Sequence, residues 1–368
     1  MNFPQSLSYT QMNMASLTEI STISRKSIRF GIYALIVILI ARFVFNFGVG
    51  LYRKIFPPKA PEPTITFGKL PAIPFPERED FGTVSYSLET VDGKYPELLD
   101  QIPVYFMPPI SSSIDIVEAA QSKASKLGFD PNGKPIVESV KNIYIFNKSN
   151  TPSTLTMNII SGVFSISYNL SVNPFVVSAT PINSDQAIGQ VRSYFSSVSD
   201  PNEINDRVAT HQFLKVESGG FTEVDSQSES NLVKVNLFRK NLGEETDIPS
   251  VSPDMPEANL WAIVSGSRTI IAAEYHYFPV DLQRSGTYPL KTAETAWNEL
   301  QNGEAFIANM GSNSGQVTIR RIYLAYYDAG QYTEFYQPVI VFEGDGGFYA
   351  YVPAVTPEHY GAEIETSE

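Results

Sequence analysis

Residues 30–52 read FGIYALIVILIARFVFNFGVGLY and carry a single charge, Arg42. At ~1.5 Å of rise per residue, a helix over this run is about 34 Å long, enough to cross a hydrocarbon layer of ~30 Å. A secretory signal is the competing reading, with Arg25, Lys26 and Arg29 as its basic region and residues 30–41 as its apolar region. The following RFVFNFGVGLYRK offers no clear small-x-small cleavage site, and its apolar character resumes past the arginine. The sequence therefore favours an uncleaved anchor in a lipid bilayer. A charge near the centre of such a helix costs ~2.5–3.5 kcal/mol on insertion scales. Arg42 can meet that cost by snorkelling to headgroups. Alternatively Arg42, Asn46 and Gly50, spaced i, i+4, i+8, form a polar and small face against a partner helix.

Arg25, Lys26 and Arg29 before the span nearly balance Arg53, Lys54, Lys59 and Lys69 after it, so basic residues alone do not set the orientation. The short polar N-terminus and the weakly charged remainder point to an N-terminus inside and a bulk outside, a single-pass protein of the cell membrane. After the span, residues 56–80 hold seven prolines, which favour an extended spacer. Its later half, FGKLPAIPFP, carries apolar side chains suited to packing on the first folded module. An apolar content of 43% suits a chain with ordinary buried cores. A net charge of −13 without a basic cluster argues against nucleic acid as a partner. The absence of cysteine removes disulfides, thiolate metal sites and cysteine nucleophiles.

Three stretches carry helical signatures. Residues 112–127 open with Ser112-x-x-Asp115 and stop at Gly128; residues 184–197 follow Asn183-x-x-Gln186; residues 292–302 place Ala293, Ala296, Trp297 and Leu300 on one face and end at Gly303. Between them lie alternating strand patterns, with hairpins expected at Ser161-Gly162, at Ser265-Gly266 and at Gly344-Asp345-Gly346-Gly347. The order helix, then antiparallel strands, thus occurs three times. Asp130-Pro131-Asn132 recurs as Asp200-Pro201-Asn202, an offset of 70 that also aligns Asp115 with Asp185 and points to duplication. The expected class is α+β: one transmembrane helix followed by repeated helix-on-antiparallel-sheet units. The expected organisation is a cytoplasmic N-terminus (1–29), the membrane helix (30–52), a Pro-rich stalk (53–80), α+β units at 81–175, 176–285 and 286–357, and an acidic tail (358–368).

A membrane anchor, a spacer and such units resemble the PepSY-like extracytoplasmic modules, including the YycH and YycI accessory proteins of a bacterial sensor-kinase system. The stretch that carries the resemblance is 292–355, with its A-x-x-A-W-x-x-L helix, a strand containing LAYY, and PVIVF before a closing hairpin. The resemblance brings no catalytic residues. It implies regulation through protein contact outside the membrane, with a membrane or envelope protein as partner.

Searches for reaction chemistry return little. His211, His276 and His359 are far apart, and neither an H-E-x-x-H nor a G-x-S-x-G motif is present. Glu274 and His276 alternate onto one strand face and offer two metal ligands without an identifiable third, so a solvated strand face is the simpler reading. The D-P-N sequences suit turns better than calcium loops, and Glu77/Glu79/Asp80 and Glu244/Glu245/Asp247 read as solvated loop charges. No cofactor, metal site or catalytic residue is expected. C-terminal tyrosines alternate along strands, and Tyr323, Tyr327, Tyr336 and Tyr349 are candidates for an exposed aromatic contact surface. The functional expectation is a non-enzymatic, membrane-tethered interaction module. A structural subunit of a surface or secretion assembly and an envelope enzyme acting on glycan or peptide are its rivals.

Overall fold

The computed structural model describes residues 17–55, 61–77, 81–82, 84–109, 115–137, 139–199, 203–218, 220–243 and 247–362. Ser112, the second D-P-N, Glu79, Asp80, Glu244, Glu245 and most of the acidic tail lie outside the described residues. The chain forms two compact units, divided between Glu62 and Pro63. It is a mixed α+β protein with one apolar N-terminal helix and a sheet-rich remainder.

The smaller unit contains α1 (Leu17–Ile55), an unbroken helix of 39 residues. Arg29–Val49 within it is long and apolar enough to cross a membrane, with a mean hydropathy of 2.2 over 21 residues. Leu, Ile, Val and Phe side chains point outward all round, Phe30 and Phe43 each 72% exposed. The helix stops just before Pro57-Pro58, whose rings exclude a continuing helical ladder.

The larger unit opens with three short strands, β1 (Leu70–Pro71), β2 (Ser85–Leu88) and β3 (Gln101–Phe106). A first repeat follows: α2 (Ile116–Lys126), then β4 (Lys134–Val137), β5 (Val140–Asn147), β6 (Ser153–Asn158) and β7 (Phe164–Tyr168). The second comprises α3 (Ser184–Phe195), β8 (Ile204–Glu217), β9 (Gly220–Val224), β10 (Leu232–Arg239), the detached β11 (Ser250–Val251), β12 (Leu260–Ser265) and β13 (Ile270–Tyr275). Both repeats enter one nine-stranded sheet in the order β4-β5-β6-β7-β13-β12-β10-β8-β9. Their last strands meet antiparallel, Ile166 opposite Ala273 and Ser165 opposite Glu274, so the two halves are related like the arms of a dyad. The sheet thus runs continuously through the expected boundary at 175/176.

Local chemistry sets the helix starts. The Asn183 side chain accepts from the Gln186 amide at 2.9 Å, satisfying one of the free N–H groups at the start of α3. The expected Ser161-Gly162 two-residue turn is instead a connection over residues 159–163, because Asn158 Oδ1 accepts from the amides of Ile160 and Ser161 and widens it. Asp130 Oδ1 accepts from the Asn132 amide at 2.9 Å, the side-chain-closed turn expected of D-P-N. Both helices lie on the same face of the sheet, where Ala120, Ala124, Val191 and Phe195 meet Phe146, Leu155, Met157, Phe164, Val235 and Tyr275. Burying each large side chain stabilises the fold by about 1.5–3 kcal/mol.

The third repeat follows β14 (Asp281–Pro289): α4 (Ala293–Gln301), β15 (Phe306–Asn309), β16 (Gln316–Tyr327), β17 (Phe335–Tyr336), β18 (Pro338–Gly344), β19 (Phe348–Pro353), and a final β20 (Tyr360–Ala362). Its sheet runs β11-β16-β18-β19-β15, with β2 also pairing along β16. Helix α4, capped by the Thr292 hydroxyl on the Thr295 amide, packs Trp297 and Leu300 on one face. The other face is covered by the end of the proline-rich segment. Phe75 stacks on Phe306 with centroids 4.8 Å apart, and the Ile73 amide donates to the Tyr360 hydroxyl. Residues 63–77, read from sequence as the end of a stalk suited to the first module, therefore lie on the last one. β1 pairs with β20, and Ile65 bonds Thr287 in β14.

Candidate functional site

The two large sheets meet at a seam built from chemically distinct side chains. Arg239 closes β10, past a register shift against β8 that follows Leu237. Its Nε donates to Asp328 Oδ2 at 2.7 Å and its Nη2 to the Phe278 carbonyl at 2.7 Å. The guanidinium stands 3.9 Å from the Tyr277 ring centre and 5.5 Å from that of Tyr336. Arg239 is 7% and Asp328 8% exposed. Burial is the largest single influence and opposes the Arg239 charge, but the Asp328 carboxylate together with Tyr277 and Tyr336 outweighs it and holds the arginine above its already high pKa. Asn259 Nδ2 donates to the Asp328 carbonyl, and the Tyr277 hydroxyl bonds Glu203. Burial pushes the Tyr277 hydroxyl far up, so it is a neutral donor.

Beside this pair opens a crevice of about 610 Å³. Its walls are the segment Pro74-Phe75-Pro76, the β6–β7 connection with Asn158 and Ser161, the loop at Pro253 and Asp254, the end of β13 with His276, and the turn Ala329-Gly330-Gln331. His276 Nε2 lies 3.0 Å from Glu274 Oε2 and its Nδ1 3.2 Å from the Gly330 carbonyl. The bond to Glu274 raises the His276 pKa above its ordinary value, against partial burial. Glu274 lies in β13 and His276 just past its last residue, Tyr275, and their ligating atoms face each other. Among the described residues, no group of three or more His, Cys, Asp or Glu side chains is placed to hold a metal.

Behind the β6–β7 connection, Lys123 of α2 donates to the Gly162 carbonyl at 2.8 Å, with its ammonium 4.2 Å from the Tyr275 ring centre. Burial pulls its pKa down to about 8.

The tyrosine surface expected from sequence is corrected. Tyr327 and Tyr336 are 4% and 2% exposed: Tyr327 lies on β16, whose sheet is covered on both faces, and Tyr336 lies on β17, which pairs with β3 and packs into the core that also holds Trp297 of α4. Tyr323 and Tyr349 are half-buried, and burial raises both hydroxyls. Arg42 and Asn46 lie on α1 with exposed side chains; Gly50 falls in the same helix, and its surroundings are outside the described residues. Sequence reasoning missed Arg239 and Asp328. The available signal was a charge closing an apolar strand in LVKVNLFR and in IYLAYYD.

No protein family's model matches the sequence, and no curated protein matches it. The fold has matches among solved structures. One is an uncharacterised protein from Eubacterium rectale ATCC 33656, 11% identical, covering 76% of this chain and 91% of that one at a TM-score of 0.42. Another is the C-terminal domain of YpeB from Bacillus megaterium, 12% identical, covering 67% of this chain and 95% of that one at a TM-score of 0.34.

Proposed function

We propose that the chain is a membrane-anchored, extracytoplasmic protein-interaction module, regulatory or scaffolding and not catalytic. The observation that carries this reading is the pairing of a 21-residue apolar stretch, exposed all round and the one such helix among the described residues, with a large unit assembled from helix-on-sheet repeats. The seam supports it as well. Its charged groups are spent on one another, Arg239 on Asp328 and His276 on Glu274, an arrangement suited to joining elements more than to attacking a substrate.

The membrane partner face in this reading is Arg42, Asn46 and Gly50. Val49 is seven residues beyond Arg42, about 10 Å along the helix axis, and helical side chains tilt toward the N-terminus. Reaching the nearer interface requires Arg42 to extend against that tilt, which favours a lateral partner over headgroups. The test is crosslinking in native membranes followed by mass spectrometry. Recovery of a sensor kinase or another membrane protein through the α1 face or the large unit supports the reading. Recovery of this chain alone favours a structural assembly, and loss of crosslinks on removing a cell-wall substrate favours an envelope enzyme.

A further inference from the structure

His276 sits between two groups that only accept hydrogen bonds: the Gly330 carbonyl at Nδ1 and the Glu274 carboxylate at Nε2. A neutral imidazole carries one N–H, whereas this arrangement uses two protons on the ring or one shared with Glu274. The two acceptors belong to different parts of the larger unit. Glu274 lies in β13 of the nine-stranded sheet, and Gly330 lies in the turn that leaves β16 of the third repeat. The surroundings hold both in place. The His276 amide donates to the Asn259 carbonyl at 2.9 Å, and Asn259 Nδ2 donates to the Asp328 carbonyl at 2.6 Å. Gly330 has φ +66°, and a Cβ there would come within 2.8 Å of Asn259 Oδ1, so the turn reaches His276 only with glycine at this position.

We infer that His276 is a pH-sensitive latch that fastens the turn at residues 329–331 to the nine-stranded sheet along the rim of the crevice, engaged while the imidazole is doubly protonated and released when a proton is lost. On deprotonation, one ring nitrogen presents a lone pair to an acceptor, and the charge-assisted contact becomes a repulsive one. Glu274 on its own strand and Asp328 from the facing turn both favour the protonated ring. Asp254 lines the same crevice from the 253–254 loop, while Arg239, which shares a wall with His276 deeper in the seam, is tied to Asp328. The connection at 158–163 contributes Asn158 and Ser161 and the segment at 74–76 contributes Phe75 between two prolines. Because the folded-state pKa is raised, the latch is fully engaged below the free-histidine value of 6.5 and is lost as pH rises through the higher folded value.

The test uses the full chain in lipid nanodiscs. Imidazole C2–H exchange read by mass spectrometry gives the titration of each of the 3 histidines, and amide exchange over residues 326–334 reports the turn. The expected result is that His276 titrates above 6.5, and that protection of the turn falls several-fold across the same interval once the intrinsic base-catalysed rise is removed. Glu274→Gln moves both transitions together to lower pH, and His276→Gln makes the turn's protection independent of pH. A wild-type His276 that titrates at or below 6.5, or a turn whose protection does not follow it, overturns the inference without recourse to any variant.

Discussion

The nine-stranded sheet and the sheet of the third repeat use the same unit, one helix followed by antiparallel strands, and finish it differently. In the first two repeats, the strand after the helix sits away from the junction, β4 at the edge beside β5 and β8 beside β10 with β9 beyond it, so the last strands β7 and β13 keep open edges that satisfy each other. In the third, β15 crosses to the opposite side and pairs with the last strand, β19, closing the edge that the others use for association. The connection from helix to first strand shrinks from residues 127–133 and 196–203 to residues 302–305. An open strand edge invites pairing and a capped one ends it. One unit therefore serves as a sheet-builder twice and as a terminator once, and the seam at Arg239 and Asp328 joins the two outcomes.

The largest expected effect breaks the joint. Asp328→Ala leaves a buried guanidinium unpaired and costs about 3–5 kcal/mol, whereas Arg239→Met with Asp328→Leu recovers most of it; chemical denaturation of single and double variants checks this. A comparable loss tests the open-edge pairing. Phe164→Ala removes a ring stacked 4.8 Å from Tyr275 across β7 and β13 and costs about 3–5 kcal/mol by thermal or chemical unfolding. Smaller effects compare the helix starts: Asn183→Ala and Thr292→Ala each cost about 1 kcal/mol, and equal losses indicate that α3 and α4 seat alike despite their different sheets. The last comparison is a pH dependence of opposite sign on the two sides of the β6–β7 connection. Folding lowers the Lys123 pKa to about 8, so its contribution makes stability rise with pH between about 8 and 10.5; His276's contribution falls as pH rises above 6.5. Denaturation midpoints of Lys123→Met and His276→Gln against pH separate the two.

Much of this fold was legible where local chemistry decides it. Asn183 and Thr292 announce helix starts because a side-chain oxygen before a helix satisfies its free amides, and Gly346 and Gly347, at φ +68° and +83°, mark the last hairpin. The helix–strand repeats were visible as pattern, but the dyad was not, since nothing local in FSISY or IIAAEY says that the two strands pair across more than a hundred residues. The tyrosines misled for a related reason. Alternation assigns Tyr323 and Tyr327 to faces of a strand, but only the fold reveals that Phe75 and α4 cover both sides of that sheet. Arg239 and Asp328 are individually unremarkable charges that become a site only through tertiary contact.

In the proposed function, α1 tethers the chain and the repeats occupy the aqueous space beyond the membrane. Because the sequence contains no cysteine, single cysteines give an unambiguous readout. Val91, fully exposed in the larger unit, and Ser8, before α1, are each replaced by cysteine and challenged in intact cells with a membrane-impermeant maleimide. The expected result is labelling of Val91→Cys in intact cells and of Ser8→Cys only after lysis. Labelling of Val91→Cys only after lysis would contradict it.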